Sequence, residues 1–392
     1  MQKKVSVIAV ILTINIIFVF SIISYAQTSK IRNQIFIGAR PMGMGEAFVA
    51  VADDGNAIYW NPAGLPYIDC YELSSMYANL FNTSVKNNYI SFTLPYSETL
   101  AFGLDWFNLG FGDNELDFNR NMFNFSLGVR VFRGISLGTN IKRLVTNASL
   151  DGYSEGNGSG WGADLGLLFS PGTFLPFLNG LKFGIMAHDF TNSKINYDNG
   201  FSEVILPRNI RYGASYTFNN LFFFERPLIA LDIDDRIHFG TELWLPSLLN
   251  IQLGMRAGLQ RDIYAHGEKE FIYSFGTSIK YQISDRYILN FDYAYTDFPM
   301  LINTSRFSLG FSFSLSTSPV KIEEVYINDI YISQYPHYAD TPFCTVNCKY
   351  DDGKKIDVKI KLQQTKYDIS SETKVILNPG NSSALLKKKL IL

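Results

Sequence analysis

The sequence predicts an all-β chain. The expected fold is a 14-stranded antiparallel transmembrane β-barrel with an N-terminal plug inside the lumen and a small C-terminal Ig-like β-sandwich domain. Three observations carry this expectation: an apolar leader, a long stretch of period-two alternation, and connections that alternate between tight and long. The 392 residues are 47% hydrophobic and 18% charged, with 30 Gly, 32 Phe and 23 Tyr. That composition excludes disorder, and so much aromatic surface with so little charge fits a wall that meets lipid. A formal net charge of -2 leaves no basic field to displace phosphate counterions, which excludes nucleic acid as a partner.

At the N-terminus Lys3-Lys4 precede an apolar run from Val5 to Ile23, and Ser24-Tyr25-Ala26 follow. A basic start, an apolar centre and small residues at the end describe a secretory signal peptide, residues 1-26, cleaved after Ala26. The alternative is a retained anchor, because about 20 apolar residues can span a bilayer as a helix.

Residues 27-69 are expected to form the plug. Their densest stretch runs from Gly38 through Gly43, Gly45, Asp53 and Asp54 to Asn61-Pro62-Ala63. Ala47 to Asp54 reads as a short helical run stopped at Gly55, and Asn61 before Pro62 reads as a cap with proline at the first helical position. The glycines allow close backbone approach. A separate soluble lobe is the alternative, but the position just before the first strand favours a segment folded into the lumen.

From 70 to 317 the pattern has period two. Phe123, Phe125, Leu127 and Val129 alternate with Asn124, Ser126, Gly128 and Arg130, while Phe307, Leu309, Phe311 and Phe313 alternate with Ser308, Gly310 and Ser312. Fourteen such segments fall near 71-81, 87-96, 99-109, 120-132, 135-146, 160-170, 180-190, 206-218, 221-233, 236-246, 248-259, 270-282, 286-296 and 304-316. Tight turns such as Arg133-Gly134 alternate with longer polar loops (110-119, 146-160, 191-205, 260-269, 297-303), as in an outer-membrane barrel. Asp234-Asp235 breaks the rule by being short on the long side, and 171-179 by being long on the short side. A soluble sandwich or propeller would also alternate. It would place Lys and Glu on its wet face, whereas here that face carries Gly, Ser and Asn, and the oily face carries Trp106, Trp161, Tyr212, Tyr216, Tyr287 and Tyr295 near strand ends.

The stretch Gly38-Ala-Arg, Gly43-Met-Gly45, Ala50-Val-Ala-Asp-Asp and Tyr59-Trp-Asn-Pro-Ala-Gly-Leu65 resembles the N-terminal signature of the FadL-like outer-membrane proteins, within them the PorV/PorQ-like branch. Asn61-Pro62-Ala63 alone is shared with the fatty-acid transporters. The resemblance covers residues 38 to about 316. It implies a fourteen-stranded barrel with an N-terminal hatch and is weak for function, because the group holds both transporters of hydrophobic molecules and secretion-system components.

Residues 318-392 extend beyond the barrel. Segments 320-327, 343-349, 356-362, 373-377 and 384-391 read as short strands, with turns at Asp351-Asp352-Gly353 and Asn378-Pro379-Gly380. This resembles a periplasmic Ig-like extension, incomplete at five strands, whose edge another protein could complete. Cys344 and Cys348 sit four apart on one such strand, about 13 Å at a strand's rise and too far for a disulfide.

Nothing points to an enzyme. The histidines His188, His238, His266 and His337 are scattered, and no catalytic motif or metal spacing exists. The stretch from Asp151 to Gly160 lacks the ligand alternation of a calcium loop and reads as a surface loop. No cofactor is implied. Lumen-facing charges are the candidate site residues: Asp105, Arg120, Arg130, Lys142, Asp164, Arg211, Glu242, Arg256, Lys280, Asp292 and Arg306. They are expected to pair with one another and with Glu46, Asp53 and Asp54. Pro227 removes a ladder hydrogen bond, so a kink there is expected to open a lateral gate flanked by Phe222, Phe223 and Phe224.

Two functions fit. In one the barrel is a PorV/PorQ-type membrane anchor that docks secretion or cell-envelope proteins. In the other it is a FadL-like transporter of a hydrophobic ligand. Both place it in the cell outer membrane, in contact with lipid, with N- and C-termini in the periplasm. The C-terminal extension favours docking.

Overall fold

The computed structural model describes residues 37-112, 116-151, 153-219, 221-263, 271-284, 286-298, 303-314, 320-327, 344-350, 356-364, 369-377 and 380-386. The expected signal peptide, residues 27-36, and His266 and His337 lie outside the described residues. The chain divides into two units, residues 1-314 and 315-392.

The first unit contains β1 (Tyr71–Asn79), β2 (Lys86–Pro95), β3 (Leu100–Gly112), β4 (Leu116–Phe132), β5 (Ile135–Leu150), β6 (Tyr153–Phe169) and β7 (Leu181–His188). After these come β8 (Ser193–Tyr197), β9 (Ser202–Leu206), β10 (Asn209–Thr217), β11 (Glu225–Ile233), β12 (Arg236–Trp244), β13 (Ile251–Asp262), β14 (Phe271–Ser284), β15 (Tyr287–Asp297) and β16 (Thr304–Phe313). Fourteen of them, β1 to β7 and β10 to β16, form a closed antiparallel ring. Its seam is β1 on β16, where Tyr71 faces Phe313 and Asn79 faces Ser305. The chain therefore enters and leaves the ring at one rim.

The ring accounts for the alternation. Phe123, Phe125, Trp161 and Phe275 stand exposed on the outside, while Asn124, Ser126, Ser274 and Ser278 are buried on the inside. Closure gives each of the fourteen ring strands a neighbour on both sides.

Three expectations are corrected. The expected loop 146-160 is mostly strand: β5 and β6 pair as far as Leu150 and Tyr153. The expected loop 191-205 holds the hairpin β8–β9, which joins β6 through Gly158–Tyr197 and Ser159–Asn196. The run from Ala47 to Asp54 is not helical; helices occur at Ala39–Gly43 and Ala57–Trp60 instead. Its backbone is spent on the wall: Phe48 and Val49 donate their N–H groups to the Asp232 carboxylate at 2.8 and 2.9 Å, and Ala52 takes a positive φ of 31°.

At Pro227 the register of β11 against β12 shifts between Glu225 and Leu228, and Arg226 has φ 48°. The bulge absorbs the missing N–H. Phe218 donates to the Pro227 carbonyl at 2.8 Å, and both flanking ladders continue from Leu228. The kink expected at Pro227 is thus a bulge, with pairing to β10 and β12 resumed from Leu228. Phe222, Phe223 and Phe224 sit in or beside the turn before β11, with Phe222 90% exposed.

The second unit has β17 (Val320–Ile327), β18 (Cys344–Tyr350), β19 (Ile356–Gln364), β20 (Ile369–Leu377) and β21 (Gly380–Leu386). They pair as a three-stranded sheet, β17-β18-β21, and a two-stranded one, β19-β20. Cys344 and Cys348 both lie on β18, opposite Leu386 and Ser382.

Candidate functional site

Residues 37-68 lie within the ring, held by the strands' inner faces. Asn61 shows how. Fully buried, it accepts from Ala63 N–H at 3.2 Å and donates to the Val49 and Leu167 carbonyls at 2.8 and 3.1 Å. Pro62 follows at the start of a 3₁₀ helix, Pro62–Tyr67, where its missing N–H costs nothing. Ser136 donates to the Ala63 carbonyl at 2.6 Å and Asn140 to that of Ile58 at 2.8 Å.

Wall glycines let the two backbones meet. A Cβ on Gly138 would stand 2.1 Å from Ala63 N, and one on Gly258 would stand 2.0 Å from Gly45 N. Gly45 itself has φ 61°, and Gly43 faces Gly276 with only 3.1 Å for a Cβ. Gly38 has φ 81° and no room beside Asn56.

The buried charges form two networks and a triad. Arg40 donates to both Glu242 oxygens at 2.7 and 2.8 Å and reaches Asp53 at 2.6 Å and Asp54 at 2.8 Å. Glu242 also accepts from Arg256 at 2.6 Å, and Arg256 reaches Asp292 at 2.8 Å. Burial opposes the Arg40 charge, but the three carboxylates override it and hold the guanidinium well above its ordinary range. In the second network Arg211 pairs with Asp234 at 2.9 Å and Glu46 at 3.4 Å, while His238 lies 3.0 Å from the Gly45 carbonyl and 3.2 Å from Asp234. The triad is Lys142 between Asp164 and Asp189, at 2.7 and 2.8 Å.

Other predicted lumen residues have local roles. Arg130 donates to the Pro66 carbonyl at 2.8 Å and covers the Tyr67 ring. Arg120 instead bonds Thr146 at 3.4 Å, away from residues 37-68. Asp105 accepts from Asn124 and Tyr89, Lys280 lies over Trp244, and buried Arg306 donates to Thr296. Arg40, Asp189, Asp232 and Asp234 are the contributors that sequence reasoning missed. Arg40 stood inside the Gly38-Ala-Arg motif, which was the signal available.

One band of the lumen is apolar. Met76 faces Tyr89, Tyr89 faces Phe107, Phe107 faces Met122, Met122 faces Leu144 and Leu144 faces Gly160, an unbroken row across β1 to β6. All five side chains are buried and pack with Ile37, Ile195 and Leu206, with Tyr59 and Tyr197 against them. Ile195 reaches the row because β6 offers glycine: a Cβ on Gly160 would stand 1.8 Å from the Lys194 carbonyl. The row below it is polar: Ser74, Ser91, Asp105, Asn124 and Lys142.

Beside this band lies a cavity of about 80 Å³, lined by Glu46, Tyr59, Trp60, His188, Arg211 and Asp234 among others. No group of three or more His, Cys, Asp or Glu among the described residues is arranged to hold a metal ion.

Comparison with protein families and with curated proteins finds no match. Among solved structures, the chain is similar to the CymD monoaromatic hydrocarbon channel, with TM-score 0.53 and 13% identity, covering 73% of this chain and 99% of that one. The likeness to that channel is one of barrel fold. A Pseudomonas aeruginosa FadL homologue aligns with TM-score 0.49 and 8% identity over 72% of this chain and 99% of its own. The Pseudomonas putida toluene transporter TodX aligns with TM-score 0.48 and 12% identity over 73% and 99%. At such identities the likeness is one of fold.

Proposed function

We propose that this chain is an outer-membrane channel for small hydrophobic molecules, with residues 37-68 as its plug. The apolar row from Met76 to Leu144 carries the reading. It sets five large apolar side chains in register on the lumen face, and an apolar solute gains by burial against them. Ile37 and Ile195 cover the row, so a bound solute takes their place. The solved CymD structure, described as a monoaromatic hydrocarbon channel, supports the same class of solute. Outside, exposed Phe, Leu and Ile on the strands suit acyl chains. The signal peptide expected from the sequence, the even strand number and the single rim at which Tyr71 meets Phe313 support an outer-membrane location with both termini periplasmic.

Saturable binding of ethylbenzene by the detergent-solubilised chain, abolished by Met122→Asn or Phe107→Asn in a barrel that still folds, tests this. No saturable binding would overturn it. The docking role has one observation in its favour, the separate unit 315-392. The PorV/PorQ-like branch rests on the motif residues 38-65, and an Ig-like reading of the second unit rests on its five strands. Stoichiometric co-purification of envelope proteins, lost on deleting that unit, is the outcome docking requires.

A further inference from the structure

The cavity beside the apolar band has a chemistry that a hydrocarbon does not need. Four carboxylates, Glu46, Asp189, Asp234 and Asp235, line it against two guanidinium groups, Arg211 and Arg236. Behind it Lys142 is shared between Asp164 and Asp189, so the surroundings stay acidic. In the same lining stands His188. It is 7% exposed, its ring is tilted against Tyr59 at 4.9 Å between centroids, and its Nδ1 has no hydrogen-bond partner among the described residues. A buried ring nitrogen without a partner is costly, and a ligand that donates to it removes that cost. About 80 Å³ holds a small head group and not a whole hydrophobic molecule.

Two residues, Tyr59 and Leu206, belong both to this lining and to the apolar cluster of Met76, Tyr89, Phe107, Met122 and Leu144. Tyr59 and Leu206 therefore join the polar cavity to the apolar band. We infer that the site takes a small amphiphile with an amine head: the ammonium donates to His188 Nδ1 among the carboxylates, and the apolar part lies on the band. This rests on the channel reading and narrows its substrate class. A carboxylate head is disfavoured, because the four carboxylates of the lining outnumber its two guanidinium groups and it brings no proton for His188.

The probes are phenethylamine, 2-phenylethanol, ethylbenzene and 3-phenylpropionate, titrated calorimetrically into the full-length protein in detergent. The amine is expected to bind at least about tenfold tighter than the carboxylate, with the alcohol between them. His188→Phe keeps a ring on Tyr59 and removes the acceptor; it is expected to weaken the amine about tenfold relative to ethylbenzene. Equal binding of amine and carboxylate, or an amine affinity indifferent to His188→Phe, overturns the inference. Ethylbenzene binding without any head-group preference does so while leaving the channel reading intact, whereas no binding by any probe sinks both. Should the variant fail to fold, the unaltered protein's ranking of the four probes decides alone.

Discussion

At the scale of single residues, Arg40 is the joint between the N-terminal segment and the wall. It answers Glu242, Asp53 and Asp54 at once. Removing a partner from a buried ion network leaves uncompensated charge, which costs about 3–5 kcal/mol. Arg40→Met should therefore lower the thermal midpoint of the detergent-solubilised protein by several degrees, and Arg40→Met with Glu242→Gln should recover part of the loss; an unchanged midpoint would show the joint to be dispensable. Gly138→Val is expected to be as damaging, because its side chain would enter the Ala63 backbone. Heat-modified migration on a gel reads whether a folded barrel persists. The sequence showed Gly38, Gly43, Gly45, Asp53, Asp54, Glu242 and Arg256 as candidates, but not Gly138. It could not show that Arg40 meets Glu242, because 202 residues separate them and only ring closure joins them. It also hid the apolar row, since each strand contributes one Met, Tyr, Phe or Leu among polar lumen residues and register alone aligns them.

At the scale of elements, the strands were legible wherever one face meets an apolar medium and the other the lumen. They were not legible in 146-160, where Asn147, Ser149, Gly156, Asn157 and Gly158 lie on paired strands. Near a strand's outer end neither face need be apolar, so the alternation fades and turn-rich composition reads as loop. The hairpin β8–β9 escaped for the same reason. Its seat on Gly158, Gly160 and Gly162 leads to a prediction: Gly160→Leu should unseat the hairpin, uncover the apolar row and raise the binding rate of ethylbenzene. An unaltered rate would mean that the hairpin does not cover the path.

At the scale of the whole molecule, the two units are separate by their internal contacts, and the ring closes on itself through β1 and β16. Deleting residues 315-392 is expected to leave a heat-modifiable barrel with ethylbenzene affinity unchanged. Loss of the barrel would show that the second unit is needed for assembly. The sequence revealed the strand count and the existence of the extra strands, because both are local patterns. Which segments pair across the closed seam is a long-range fact.

Closure has one more consequence. Backbone touches backbone at Gly138, Gly258 and Gly276, on opposite parts of the ring, so no clearance exists through which residues 37-68 could be threaded afterwards. They also precede β1, one of the two strands that make the seam. The first part of the chain must therefore be lodged before the last strand zips to the first, which makes it a mandrel around which the cylinder is finished.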